Sequence, residues 1–72
     1  MSVVEVFDKG FISSYDSFKG FGFIRREKGR DVFFFYDDLL DVDTGVVLGD
    51  VVSFEVRVES KGPRAYKVAR VI

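Results

Sequence analysis

Lys19-Gly20-Phe21-Gly22-Phe23-Ile24 and Asp31-Val32-Phe33-Phe34-Phe35-Tyr36 set a ring at every second position in two neighbouring segments. In an extended chain, residues i and i+2 point to the same side. If the two segments are strands turned at Lys28-Gly29, then Phe21, Phe23, Phe33 and Phe35 share one face of a hairpin. Gly22, Ile24, Val32 and Phe34 share the other. A barrel wall has one inside, and the set with Ile24, Val32 and Phe34 reads as ordinary core. The four remaining rings are then left outside, and soluble proteins seldom expose such a surface without using it. Rings beside cations suit single-stranded nucleic acid, since bases stack on the rings and phosphates meet the charges. Lys19 opens the first segment and is the expected phosphate contact. Arg25 is a second candidate, while Arg26, Lys28 and Arg30 read as solvated charges.

Other chemistries find little support. The chain has no cysteine and no histidine, which removes disulfides, thiolate or imidazole metal sites, and Ser-His or Cys-His nucleophiles. Asp37 and Asp38 are adjacent carboxylates, but nothing nearby supplies a nucleophile or metal partner. No enzyme activity, cofactor or metal is expected. No apolar run is long enough to span a bilayer and no signal-peptide pattern opens the chain, so no membrane role and a cytoplasmic location are expected.

A net charge of -1 argues against a strongly basic nucleic-acid binder, but the charge is uneven. Residues 9–30 carry +4, residues 31–59 carry -7, and residues 60–72 carry +4. The aromatic hairpin sits mainly in the first basic third, so a local positive field coexists with a near-neutral total.

The elements that must position these residues are strands. Beta-branched and aromatic residues dominate, and turn residues recur at short intervals. Val3 to Phe7 alternates weakly. The pattern predicts strands over 10–16, 20–26, 31–36, 50–59 and 64–72, with 27–30 as a turn and the Asp-rich 37–49 as a solvated connection. In the fourth strand Val52, Phe54, Val56 and Val58 are expected inward, with Val51, Ser53, Glu55, Arg57 and Glu59 outward. The last strand has apolar residues at both parities, which leaves its facing open. Five short antiparallel strands in 72 residues close most readily into a small barrel, OB-type or SH3-like, because closure removes exposed edges.

The two ring segments resemble the RNA-binding motifs of the cold-shock domain family. Lys9-Gly10-Phe11-Ile12-Ser13-Ser14-Tyr15-Asp16, Leu48-Gly49-Asp50-Val51-Val52-Ser53-Phe54 and Gly62-Pro63-Arg64-Ala65-Tyr66-Lys67-Val68 resemble its first, fourth and fifth strands. The resemblance implies a five-stranded antiparallel OB-type barrel over 9–72, with residues 1–8 extending the first strand. It also implies binding of single-stranded RNA or DNA through strands 2 and 3, and RNA chaperone activity. The chain departs from the family pattern at three positions. Ser14 stands where many members have a stacking Trp, Ser13 where a lysine is common, and Phe35 where the second motif usually has His. Phe18 and Tyr36 are placed to replace part of the lost ring surface. Such a platform implies stacking with slight sequence preference. The alternative is a protein-interaction or dimerisation module using the same ring face, so a monomer or weak homodimer is expected.

Overall fold

The computed structural model describes residues 7–40 and 46–71. The expected alternation of Val3 to Phe7 falls, except for Phe7, outside the described residues. Five strands form a closed barrel: β1 Phe7–Asp16, β2 Phe21–Arg26, β3 Val32–Phe35, β4 Val51–Glu59 and β5 Gly62–Arg70, in the order β1-β2-β3-β5-β4. The neighbours β1–β2, β2–β3, β1–β4 and β4–β5 pair antiparallel. A short parallel contact between β3 and β5, at Phe33 and Arg64, closes the ring. No helix among the described residues is long and apolar enough to cross a membrane.

The core is built by parity. Ile12, Ile24, Val32, Phe34, Val52, Phe54, Ala65 and Val68 are buried, and Tyr15, Leu39, Val46 and Val56 pack against them. Phe34 and Phe54 are the largest fully buried side chains, and the Phe34 ring lies nearly parallel to that of Tyr15 with centroids 6.0 Å apart. The absent side chain of Gly22 makes room for this pair. A Cβ built there would lie 2.3 Å from the Ser14 carbonyl oxygen and 2.9 Å from the Phe34 ring. Overpacking of this kind costs roughly 1–3 kcal/mol. Gly22→Ala is therefore expected to lower the thermal midpoint by about 10 °C. An unchanged midpoint would mean that the strands close without this contact.

Several expectations need correction. β1 starts at Phe7 rather than at residue 10, so Phe7 and Asp8 belong to the strand proper. β3 ends at Phe35, and Tyr36 opens a 3-10 turn, Tyr36–Asp38. β5 begins at Gly62, with Pro63 opposite Val58 at the hairpin end, where a missing N–H matters least. Val58, expected inward, is 87% exposed. Among the described residues β1 accompanies β4 along Val51 to Glu55, and Val58 lies beyond that stretch, toward the end of the β4–β5 hairpin. Glu55, expected outward in solvent, is 6% exposed. It sits in register between Phe7 on β1 and Tyr66 on β5, and its carboxylate holds Arg57 at 3.3 Å and Lys67 at 3.8 Å. The ambiguous facing of β5 has a local cause. Between Ser53 and Glu55 the partner strand advances from Ala69 to Tyr66, one residue more than β4 does. Lys67, at φ 53°, absorbs the extra residue, and Ala65 and Val68 both turn inward despite opposite parity.

Candidate nucleic-acid interface

The β2–β3 register places Phe21 opposite Phe35 and Phe23 opposite Phe33. Because Gly22, Ile24, Val32 and Phe34 fill the inside, the four remaining rings stand on the outer surface as the alternation required. They form one contiguous cluster. Phe33 is its centre, with centroids 5.4 Å from Phe21, 5.7 Å from Phe23 and 4.7 Å from Phe35. The Phe21–Phe33 pair is stacked at 27°, and Phe33 meets Phe23 and Phe35 edge to face. These are the offset and T-shaped arrangements that ring quadrupoles favour. Phe23 and Phe35 keep over a third of their surface in solvent.

The turn between β1 and β2 sets the flanking groups. The Asp16 carboxylate accepts from the backbone N–H of Phe18 at 3.0 Å and of Lys19 at 3.1 Å, and Gly20 N–H donates to the Asp16 carbonyl. This closes the turn with Phe18 fully exposed and Lys19 exposed beside Phe21. Gly20, at φ 74°, accepts from Tyr36 N–H through its carbonyl, and a Cβ on it would lie 3.0 Å from the Tyr36 ring. The missing side chain lets that ring lie against the turn. Tyr36 is thus fixed at the rim, half in solvent.

Most basic side chains are engaged. Arg25 pairs with Asp31 at 3.3 Å, so part of its charge is spent on a neighbour instead of facing outward unopposed. Lys9, Lys19, Lys28, Arg30 and Lys61 have no acidic side-chain partner among the described residues. Ser14 stands opposite Phe23, so no ring from β1 adjoins the cluster there. The Ser13 hydroxyl donates to the Phe23 carbonyl oxygen at 3.2 Å.

One part of this surface was not anticipated. Arg64 stacks between Phe35 and Tyr66, with its guanidinium carbon 4.7 Å and 4.6 Å from the two ring centroids, and pairs with Asp38 at 3.2 Å. Partial burial works against the Arg64 charge, but the Asp38 bond outweighs it and the guanidinium holds its proton above the ordinary value. Asp38 also accepts from Phe35 N–H at 3.0 Å, so it is a structural clamp and not part of a purely solvated acidic run. Arg57 lies on Tyr66 at 4.4 Å, and the Tyr66 hydroxyl donates to Glu59, a bond that raises the phenol above its usual pKa. The Arg57 proton is held more tightly through its bond to Glu55. Between the rings Phe23, Phe33 and Phe35 and the β4–β5 hairpin runs a groove of about 560 Å³, which Arg30, Asp31, Glu59, Lys61 and Arg64 also line. The only sequence signal for Arg64 was its place after Gly62-Pro63, because its neighbours come from β3 and the 3-10 turn.

This arrangement agrees with the outcome of comparison with known proteins. Residues 8–71 match the 'Cold-shock' DNA-binding domain. The chain belongs to the cold-shock domain family. It is similar to the retron Se72 cold shock-like protein of Salmonella heidelberg, 46% identical over 66 residues, which cover 89% of this chain and 98% of that protein. A cold shock-like protein of Thermotoga maritima is 36% identical over 61 residues, 83% of this chain and 92% of the relative. Among solved structures, drosophila Unr CSD456 superposes with a TM-score of 0.81 at 28% identity, covering 94% of this chain and 28% of that larger one. As a cold-shock domain the chain is a nucleic-acid-binding barrel of the cold-shock type, and the reading as a protein-interaction module is not favoured.

Proposed function

We propose that this cold-shock domain binds single-stranded RNA or DNA by stacking bases on Phe21, Phe23, Phe33 and Phe35, with Phe18 and Tyr36 extending the platform. It acts in the cytoplasm as an RNA chaperone, as a monomer or weak homodimer, and catalyses no reaction. The observation that carries this reading is the contiguous outward cluster of four rings centred on Phe33. Stacking contributes roughly 1–3 kcal/mol per base, so four to five rings give a gross gain of about 4–15 kcal/mol before the strand is ordered. A micromolar complex needs about 8 kcal/mol, which places the affinity in the micromolar to high-nanomolar range. Lys19 at one end of the platform, and Arg30 and Lys61 at the groove, are the cations left to meet phosphates. Arg25 contributes less while Asp31 holds it.

Titration of a fluorescent thymidine heptamer at two salt concentrations tests the reading. Three phosphate contacts on a single strand give a slope of log K against log salt of about -2. Binding with that shallow slope is expected. No binding at low salt sinks the proposal, and a slope steeper than about -4 replaces stacking by a mainly electrostatic mode.

A further inference from the structure

The groove beside the platform is built differently from the platform itself, and bases stacked on rings alone would be bound with little discrimination. We propose that this groove selects guanine and that Arg64 reads it, an inference that rests on the base-stacking function above.

Four observations carry it. First, Arg64 is in register with Phe33 across the parallel β3–β5 contact, so a base stacked at the Phe33–Phe35 edge has its rim toward β5. Second, the guanidinium is held in one plane by Phe35 and Tyr66 and anchored by Asp38. A fixed planar fork of donors recognises a pair of adjacent acceptors, which a mobile ammonium does not. On its Hoogsteen edge guanine offers O6 and N7 side by side, where adenine sets an amino donor beside N7, cytosine presents its amino donor and thymine a single acceptor. Third, the groove also holds the carboxylates of Asp31 and Glu59. These accept from the N–H-bearing edge of a base, while Arg30 and Lys61 at the same groove meet the flanking phosphates. Fourth, the Arg64 Nε–H is shut off from solvent with no acceptor among the described residues. A buried donor without a partner is costly. A base acceptor that reaches this N–H on binding removes that cost.

The test is fluorescence anisotropy with a thymidine heptamer and with heptamers carrying one guanine at each position in turn. One bidentate contact is expected to tighten binding at the favoured position by about 5- to 100-fold. Replacing that guanine with 7-deazaguanine, which lacks the N7 acceptor, is expected to abolish most of the gain. Arg64→Lys keeps the charge but not the fork, and is expected to lose the guanine preference, read as the ratio of guanine-heptamer to thymidine-heptamer affinity on the same variant. Should Arg64→Lys fail to fold, the 7-deazaguanine comparison in the unaltered protein decides. Equal affinity for every heptamer, or a guanine preference that survives 7-deazaguanine or Arg64→Lys, overturns the proposal while leaving the stacking reading intact. If no heptamer binds at all, the stacking reading fails and the inference with it.

Discussion

Phe33→Ala is expected to weaken binding of a thymidine heptamer by about 100-fold, close to 3 kcal/mol, the upper end for one stacking ring. Phe33 stands at the centre of the cluster and touches Phe21, Phe23 and Phe35. Its removal deletes one stacking surface and also the contacts that hold the other three rings, each aromatic pair being worth about 0.5–1.5 kcal/mol. The ring is only partly buried, so most of the loss falls on binding and the barrel stays folded. Phe18→Ala is the internal comparison: Phe18 is fully exposed at the turn and is expected to cost at most about 1 kcal/mol. Anisotropy titrations of the two variants beside the parent read the difference. If Phe33→Ala binds within threefold of the parent, the ring platform is not the binding surface.

Its neighbour in sequence has the opposite fate. Phe34→Ala is expected to lower the thermal midpoint by at least about 15 °C, and at physiological temperature to leave much of the chain unfolded. Phe34 is fully buried, packed on Tyr15 and close to Gly22. Truncating a core Phe costs about 3–5 kcal/mol. A domain of this size has roughly 4–11 kcal/mol in total, at the usual stability per residue. Circular dichroism melting of Phe33→Ala and Phe34→Ala side by side checks the division of labour. A Phe34 variant as stable as the Phe33 variant would mean the inner and outer faces of β3 had been assigned the wrong way round.

That contrast marks what was readable in advance. A strand has period two, so the alternation in 20–36 fixed which residues share a face, and Ile24, Val32 and Phe34 in one set named the packed side. The composition of the chain and its turn residues led to five strands and a barrel, and the ordered motifs led to the family. The same reasoning failed wherever one strand answers to a distant one. Ala65 and Val68 face inward at opposite parity because β5 takes up an extra residue at Lys67, a bulge that no local pattern announces. Val58 matched the core pattern yet is exposed, lying on the β4–β5 hairpin beyond the stretch that pairs with the described part of β1.

The site divides along the same line. By itself the sequence determined the four-ring platform and the exclusion of thiol, imidazole and disulfide chemistry, since both depend on residue type and local spacing. Only the tertiary structure decided that Asp31 restrains Arg25, that Asp38 clamps both Phe35 and Arg64, and that Arg64, stacked on Tyr66, borders the rings with a groove. Those pairings join residues from the 3-10 turn and from β2 to β5. The contacts of Arg64 with Asp38 and Phe35 form only when the parallel β3–β5 closure seals the barrel.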